Sequence, residues 1–354
     1  MAKKVLIVDD SALVRKQLKE MIATLNFEID IAKNGQEAVD KATDTQYDII
    51  TMDINMPGMD GIEATRQIMS EKPTPILMIS SLTTGDATIT MDSLDLGAID
   101  YNSKPGTMNV GKKENREDIL SKVTAISNIS VRRLKRRAVR PQTREIKIDK
   151  PVVKEEVPTT SSLDISKVIL IGSSTGGPGL IEKICSSLPI NYKYPVCIVQ
   201  HMPEQFTRAF AQRLSRSCIV PVHETQHNME LLPGNVYIAR GGFHMNFAKK
   251  VSGKIVIRED ENKGDNFFQP SVNDMMNSAI KVFDASNLVG VILTGIGDDG
   301  ADAMVKIKSN GGYTLAESEE SATVYGMPRE AYDRGGVVEQ LDFTKILEKI
   351  VTLK

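Results

Sequence analysis

Residues 167–180 read KVILIGSSTGGPGL. The apolar run Val168 to Ile171 stops at Gly172, passes through small residues and meets Pro178, which suits a first helical turn. That order describes a buried parallel strand, a tight turn and then a helix. Ser174 falls at the bend. A side chain there stands off the carboxyl edge of a sheet, and the free N–H groups of the following turn can hold an oxyanion or another anion. Gly172, Ser174 and Gly176 also satisfy the Gly-x-Ser-x-Gly spacing of a nucleophile elbow. The spacing alone does not separate a reactive serine from a phosphate cradle or a plain loop.

Strand and helix signals continue downstream. A helix is expected over Leu180 to Leu188, a strand in PVCIVQHM (195–202), a helix over Gln205 to Leu214, a strand in LVGVILTG (288–295) and a helix from about Asp299. NVYIA (235–239), GFHMNFA (242–248) and KIVIRE (254–259) read as one antiparallel excursion joined by hairpins. These segments predict a second open parallel sheet in a single domain, residues 165–354. Three of its strand ends carry unusual polar groups: Ser174, His201, and Asp298 with Asp299. Were those strands neighbours, a hydroxyl, an imidazole and a carboxylate would share one edge, the set that acyl transfer needs. Spacing does not choose between Asp298 and Asp299 among 46 acidic residues.

Upstream, VLIV, EIDIA, YDIITMD, PILMIS and AIDY alternate with helical patterns, the first running from Ser11 to Leu25 with Leu13, Val14, Leu18, Met21 and Ile22 on one face. Such alternation predicts a doubly wound parallel sheet over residues 1–127, which binds ligands at the carboxyl ends of its strands. Acidic residues collect there: Asp9 and Asp10 end the first strand and Asp53 the third. Carboxylates so clustered are costly without a cation, and Mg2+ with oxygen ligands is the natural one. Ser80 ends the fourth strand and Lys104, before Pro105, the fifth. A hydroxyl and an ammonium beside a metal-bound carboxylate make a receptacle for a phosphoryl group.

Between the two halves, residues 128–164 show no sustained apolar period and carry three prolines, as a tether does. Its basic run, Arg132 to Arg140, has six cations in nine residues but no interleaved aromatics, so no nucleic-acid partner is expected. A chain of 354 residues, 41% hydrophobic, 25% charged and with a formal charge of −2 fits two globular cores and gives no global reason to expect nucleic acid. No run approaches the roughly 20 apolar residues of a membrane span, and MAKKVLIVDD is too short in apolar residues for a secretory signal. Cys185, Cys197 and Cys218 lie in apolar stretches without metal-ligand spacing, as reduced core thiols do. A soluble, monomeric, cytoplasmic protein is expected. His223 to His227 reads HETQH, which matches the zinc-protease spacing; that chemistry needs a helix and a third ligand, and the surrounding IVPVHETQHNMELLPG has no convincing apolar face.

Residues 1 to about 127 resemble a two-component response-regulator receiver domain, of the flavodoxin-like kind, through IVDD, MDINMPGMDG, MISS and YNSKP. The resemblance implies that Asp53 accepts phosphate from a histidine kinase, that Asp9, Asp10 and the Asn55 carbonyl help hold Mg2+, that Ser80 and Tyr101 reorient on phosphorylation, and that Lys104 contacts the phosphoryl group. Residues 165 to about 352 resemble the catalytic domain of the chemotaxis protein-glutamate methylesterases, a Rossmann-like domain, through IGSSTGGP, VQHMP, LPGNVYIA, ILTGIGDDGADAM, GGYTLAE and YGMPREA. This implies Ser174 as nucleophile, His201 as general base and acid, and Asp299 as orienting acid, with Thr175 and the backbone near Ile296 assisting. It also implies hydrolysis of glutamate methyl esters on methyl-accepting chemoreceptors without a cofactor, deamidation of selected receptor glutamines, and a receiver that covers the Ser174 edge until Asp53 is phosphorylated. Two departures stand out: Asp298 sits where that family commonly has asparagine, and Arg240 replaces a usual proline. The alternative from another class is a non-enzymatic, phospho-dependent binding module; a DNA-binding output would need a helix-turn-helix in place of the second alternating sheet.

Overall fold

The structure, a computed structural model, describes residues 2–81, 84–105, 112–129 and 165–353. All but the first two residues of the expected tether, 128–164, and with them the basic run Arg132 to Arg140, lie outside the described residues.

The apolar runs of the first half are β1 (Lys4–Val8), β2 (Glu28–Ala32), β3 (Ile49–Asp53), β4 (Ile76–Ser80) and β5 (Asp100–Ser103). They pair in parallel in the order β2-β1-β3-β4-β5. Every residue of β3 and β4 is buried, as strands covered on both faces must be. The connecting helices α1 (Ala12–Ile22), α2 (Gly35–Asp44), α3 (Gly61–Glu71), α4 (Thr84–Asp95) and α5 (Lys112–Ile126) supply that cover. Ser11, Asn34 and Asp60 start α1, α2 and α3 by accepting a backbone N–H three residues on. With β1 and β3 adjacent, Asp9 and Asp53 come to one end of the sheet.

In the second half, β6 (Val168–Ser173), α6 (Pro178–Ser187), β7 (Val196–Gln200) and α7 (Glu204–Ser217) follow in turn. Further on come β8 (Val222–Glu224), β9 (Val236–Ile238), β10 (His244–Lys249), β11 (Ile255–Asp260), α8 (Val272–Val282), β12 (Leu288–Ile292), α9 (Ala301–Ser309), β13 (Tyr313–Glu317), α10 (Met327–Asp333), β14 (Glu339–Leu341) and α11 (Phe343–Val351). Seven of these strands form a parallel sheet in the order β14-β13-β12-β6-β7-β9-β8. From β6 the chain builds outward to one side through β7, then returns to build the other side from β12. The crevice between β6 and β12 is therefore the topological switch point, where such sheets bind ligands.

One expectation fails. The segment NVYIA does not belong to an antiparallel excursion: β9 runs parallel between β7 and β8 inside the main sheet. Val236, Tyr237 and Ile238 are all buried and need strand neighbours and covered faces on both sides, whereas β10 and β11 each keep partly exposed residues and form a separate two-stranded sheet. The HETQH motif is not helical either. His223 lies on β8 with its Nε2 against Asn235 Oδ1 (2.9 Å), while Arg258 reaches the Nε2 of His227 (3.0 Å), so the two rings serve separate structural contacts. Among the described residues no helix is long and apolar enough to cross a membrane.

The two sheets meet through α4, β5 and the elements after β6. Tyr101 stacks on Phe206 with centroids 4.3 Å apart, and Arg213 of α7 reaches Asp92 (3.3 Å) and Asp95 (2.5 Å) of α4. Thr175 donates its hydroxyl to Asp100 Oδ2 at 2.7 Å, buried from water.

Packing of α8 on β6 generates a test. A Cβ at Gly172 would stand 2.4 Å from Val272 Cγ1 and 3.0 Å from Ile292 Cδ1, so the strand and helix approach each other only because no side chain intervenes. Gly172→Ala is expected to lower stability by about 1–3 kcal/mol through overpacking. Denaturant unfolding checks it, and an unchanged midpoint would contradict this packing.

Candidate active site

Parallel pairing sets the spacing of the polar strand ends. Ser173 lies opposite Gln200 in the β6–β7 register, and His201 N donates to Ser173 O (3.1 Å), so Ser174 and His201 leave the sheet side by side. On the other flank Ser174 N donates to Thr294 O (3.0 Å), which ties the bend to the end of β12. Buried Gln200 braces the corner: its Oε1 accepts from Ser173 Oγ (2.6 Å) and its Nε2 donates to Ser174 O (2.8 Å). Gly295 completes it, since a Cβ there would press to 2.9 Å from Ser174 Cβ.

Asp299 is held from four directions. Its Oδ1 accepts from Ser271 Oγ (2.9 Å) and Asn273 N (2.8 Å), and its Oδ2 from Val272 N (2.7 Å) and His201 Nε2 (2.9 Å). Three of these donors are the cap and first turn of α8, where unpaired N–H groups and the helix dipole favour an anion. Burial alone would push the carboxyl up, but the His201 hydrogen bond and the N–H groups of Asn273 and Val272 hold it below the usual carboxylate range. An anionic Asp299 fixes the tautomer of His201: Nε2–H donates to the carboxylate, and Nδ1 keeps its lone pair. That Nδ1 is buried without a hydrogen-bond partner among the described residues. Phe268 stacks flat on the ring, with centroids 3.9 Å apart and planes at 13°. Ser174 is 3% exposed, and among the described residues no hydrogen bond joins its Oγ to His201.

Asp298 goes elsewhere. Its carboxylate is largely exposed and paired with Arg334 at 2.5 Å, so of the two adjacent acids only Asp299 meets the imidazole. Thr175 turns its hydroxyl to Asp100 of the first sheet, while its backbone N–H and that of half-buried Ile296 have no acceptor among the described residues. Arg240 pairs with Glu204 at the start of α7 and lies over the Phe243 ring (4.4 Å), fixing the loop after β9 to the helix after His201.

At the edge of the first sheet, carboxylate oxygens of Asp9, Asp10 and Asp53 lie within 4.8 Å of one another. Lys104 Nζ stands 2.8 Å from Asp53 Oδ2 and 3.1 Å from Asp9 Oδ2, and Asp53 Oδ1 is buried without a hydrogen-bond partner. Burial pushes the Asp53 carboxyl up to about 6, against the pull of Lys104 and with the added push of Asp9 and Asp10. One ammonium does not balance three carboxylates. The donor set and the unpaired oxygen fit a hard divalent cation, and Asn55 is exposed two residues past β3. Ser80 is buried and donates to Ser81 O (3.1 Å). Tyr101 is buried with its hydroxyl unpartnered among the described residues, and Lys122 lies 5.7 Å from its ring while reaching Asp100 at 3.4 Å.

Sequence reasoning missed the residues that hold Asp299 and His201, namely Ser271, the first turn of α8 and Phe268. A signal was present: Ser271, three residues before Asp274 and ahead of an apolar run, is a helix-start pattern, and Ser271 Oγ does accept from Asp274 N (3.3 Å). No local signal marks Asp100 as a partner of Thr175.

Family models for the CheB methylesterase and for the response regulator receiver domain match residues 169–350 and 5–114. A protein of Carboxydothermus hydrogenoformans named protein-glutamate methylesterase/protein-glutamine glutaminase 2 is 46% identical over 356 residues, covering 99% of this chain and 98% of the relative. A protein of Caldanaerobacter subterraneus subsp. tengcongensis, named protein-glutamate methylesterase/protein-glutamine glutaminase, is 42% identical over 348 residues, covering 94% and 91%. The crystal structure of the Thermotoga maritima CheB methylesterase catalytic domain, 37% identical, superposes with a TM-score of 0.51 over 53% of this chain and 99% of that one. With matches along nearly its whole length, the chain belongs to the CheB methylesterase family and carries a response-regulator receiver domain ahead of its methylesterase domain.

Proposed function

We propose that Ser174, His201 and Asp299 form a catalytic triad that hydrolyses glutamate methyl esters on methyl-accepting chemoreceptors. The observation that carries this reading is the His201 ring, bound through Nε2 to a deeply anchored Asp299 and left with a buried, unpaired Nδ1 beside the Ser174 bend. In the reaction His201 Nδ1 takes the proton of Ser174 Oγ as the oxygen attacks the ester carbonyl, and Asp299 steadies the imidazolium. The backbone N–H groups of Thr175 and Ile296 are the candidate donors to the oxyanion. Collapse expels methanol, which receives the proton from Nδ1. Water then repeats the sequence on the acyl-enzyme and releases the glutamate carboxylate and Ser174. A glutamine side chain follows the same path with ammonia as leaving group. The hydrolysis needs no cofactor, and a docking module alone would have no use for an anchored acid behind an imidazole.

The first domain, residues 1–127, works as the switch, joined to the catalytic domain, 165–354, by the tether 128–164. Asp9, Asp10, Asp53 and the Asn55 carbonyl would hold Mg2+, which offsets phosphate charge during transfer to Asp53. Lys104 binds the phosphoryl group, and Ser80 and Tyr101 reorient when Asp53 carries it. The phosphodonor is the histidine kinase of the chemotaxis pathway, in the cytoplasm. The switch is supported by Tyr101 lying against Phe206, by the Thr175–Asp100 hydrogen bond next to the nucleophile, and by the 3% exposure of Ser174. Phosphorylation has only to shift a modest interface within one chain.

Methanol release from methylated receptor, with and without a small phosphodonor, tests the chemistry and its control together. Ser174→Ala is expected to lower turnover at least about a thousandfold, and Asp299→Asn about ten-thousandfold through the wrong tautomer. Asp298→Asn leaves it near wild type, and Asp53→Asn keeps basal turnover but loses the phosphodonor response. Full activity in Ser174→Ala rules out the triad. Arg213→Glu, which sets a like charge against Asp92 and Asp95, is expected to raise unphosphorylated turnover and shrink the increment from phosphodonor; an unchanged ratio counts against the covering role of α4. Stability offers a third check. The carboxyl of Asp53 titrates higher in the folded chain than unfolded, so its ionisation opposes folding, a penalty that is absent at acid pH and grows as pH rises towards about 6. With a chelator at neutral pH, Asp53→Asn should therefore melt above wild type, and Mg2+ should narrow the gap.

A further inference from the structure

We propose that His244 is a positioning residue for ester hydrolysis: its Nδ1, by accepting the Ser271 backbone N–H, fixes the segment 268–273 that orients His201 from two sides. This rests on the reading of Ser174, His201 and Asp299 as the triad. His244 opens the β10–β11 hairpin, outside the main sheet, and is 2% exposed. Ser271 N donates to its Nδ1 at 3.1 Å. Among the described residues, every side-chain hydrogen bond of Asp299 other than that to His201 comes from the residue so pinned or from the two that follow: Ser271 Oγ, Val272 N and Asn273 N. Three residues before Ser271, Phe268 stacks on the His201 ring. The loop leading into β10 grips the same segment once more, through Gly242 N to Gln269 O (3.1 Å). One strand start therefore stands behind both the acid and the aromatic wall of the base.

A role as mere core filler does not account for the ring. An Nδ1 that accepts an amide N–H has its lone pair engaged, which puts the ring proton on Nε2, and that nitrogen is buried without a partner among the described residues. Burying an unpaired N–H is unfavourable, and an aliphatic side chain would fill the space without it. What an aliphatic side chain lacks is the acceptor for Ser271. Asp274 Oδ2 also lies 3.1 Å from Nδ1, and Asn266 Nδ2 donates to that oxygen at 2.8 Å.

The test is turnover of methylated receptor by the full chain with phosphodonor and Mg2+. His244→Leu removes the acceptor and is expected to lower kcat about 10- to 100-fold with KM nearly unchanged, as a displaced catalytic geometry does. His244→Asn, whose Oδ1 stands where Nδ1 stood, should keep kcat near wild type, whereas His244→Gln, with its acceptor one bond further out, should fall with the leucine variant. The low-field proton resonance of His201 Nε2–H should persist in the asparagine variant and broaden or move in the glutamine one. Thermal midpoints separate fold from geometry, because asparagine and leucine both lose the ring. Equal kcat in the asparagine and leucine variants, or wild-type kcat in His244→Leu, overturns the proposal; if leucine prevents folding, the asparagine and glutamine variants decide on the same terms. Ser174→Ala in the same assay isolates the underlying reading: activity there sinks the triad, while an inactive Ser174→Ala beside a fully active His244→Leu sinks only the role of His244.

Discussion

The second domain depends on one tightly held anion. The Asp299 carboxylate stays charged in a setting that would otherwise protonate it, because the cap and first turn of α8 and the His201 ring surround it with donors. The arrangement links elements far apart in sequence: the loop after β12 supplies the acid, α8 its N–H groups, and β7 the ring. Losing any of the donors would favour the neutral carboxyl, and a neutral Asp299 would no longer dictate which ring nitrogen keeps its lone pair. Helix dipole, tautomer and the geometry of the Ser174 bend are thus one constraint seen from three sides.

The first domain solves the opposite problem. There the carboxylates of Asp9, Asp10 and Asp53 crowd together with Lys104 as the one ammonium within reach of Asp53 among the described residues, and the push of burial, outweighed by donors at Asp299, prevails at Asp53. An acid that is unhappy as an anion suits an incoming cation and phosphoryl group; an acid that is content as an anion suits a permanent partner of imidazole. The same residue type takes two roles because one is met by helix N–H groups and the other by its own kind.

Much of this could be read from the chain before any coordinates. Apolar runs ending in polar residues placed Ser174, His201 and Asp53 at strand ends, because a two-sided buried strand leaves no other place for them. Adjacent acids could not be told apart by spacing: Asp298 and Asp299 differ only in which side of the loop they face, a fact set by Arg334 and by α8, both distant in sequence. Burial on both faces drew β9 into the main sheet, where short alternating segments had suggested a hairpin. The contacts of Ser271 and Asp100 were equally out of reach, since each depends on where an element lands after the fold closes.

The hydrogen bond between Thr175 and Asp100 is internal to one molecule, so dilution does not weaken it. On the proposed reading, opening is a unimolecular equilibrium, and the resting output per enzyme follows the fraction of time the two domains stand apart. A signalling cell would inherit from that fraction a floor of turnover per enzyme molecule, set by the free energy of the contacts between the two domains.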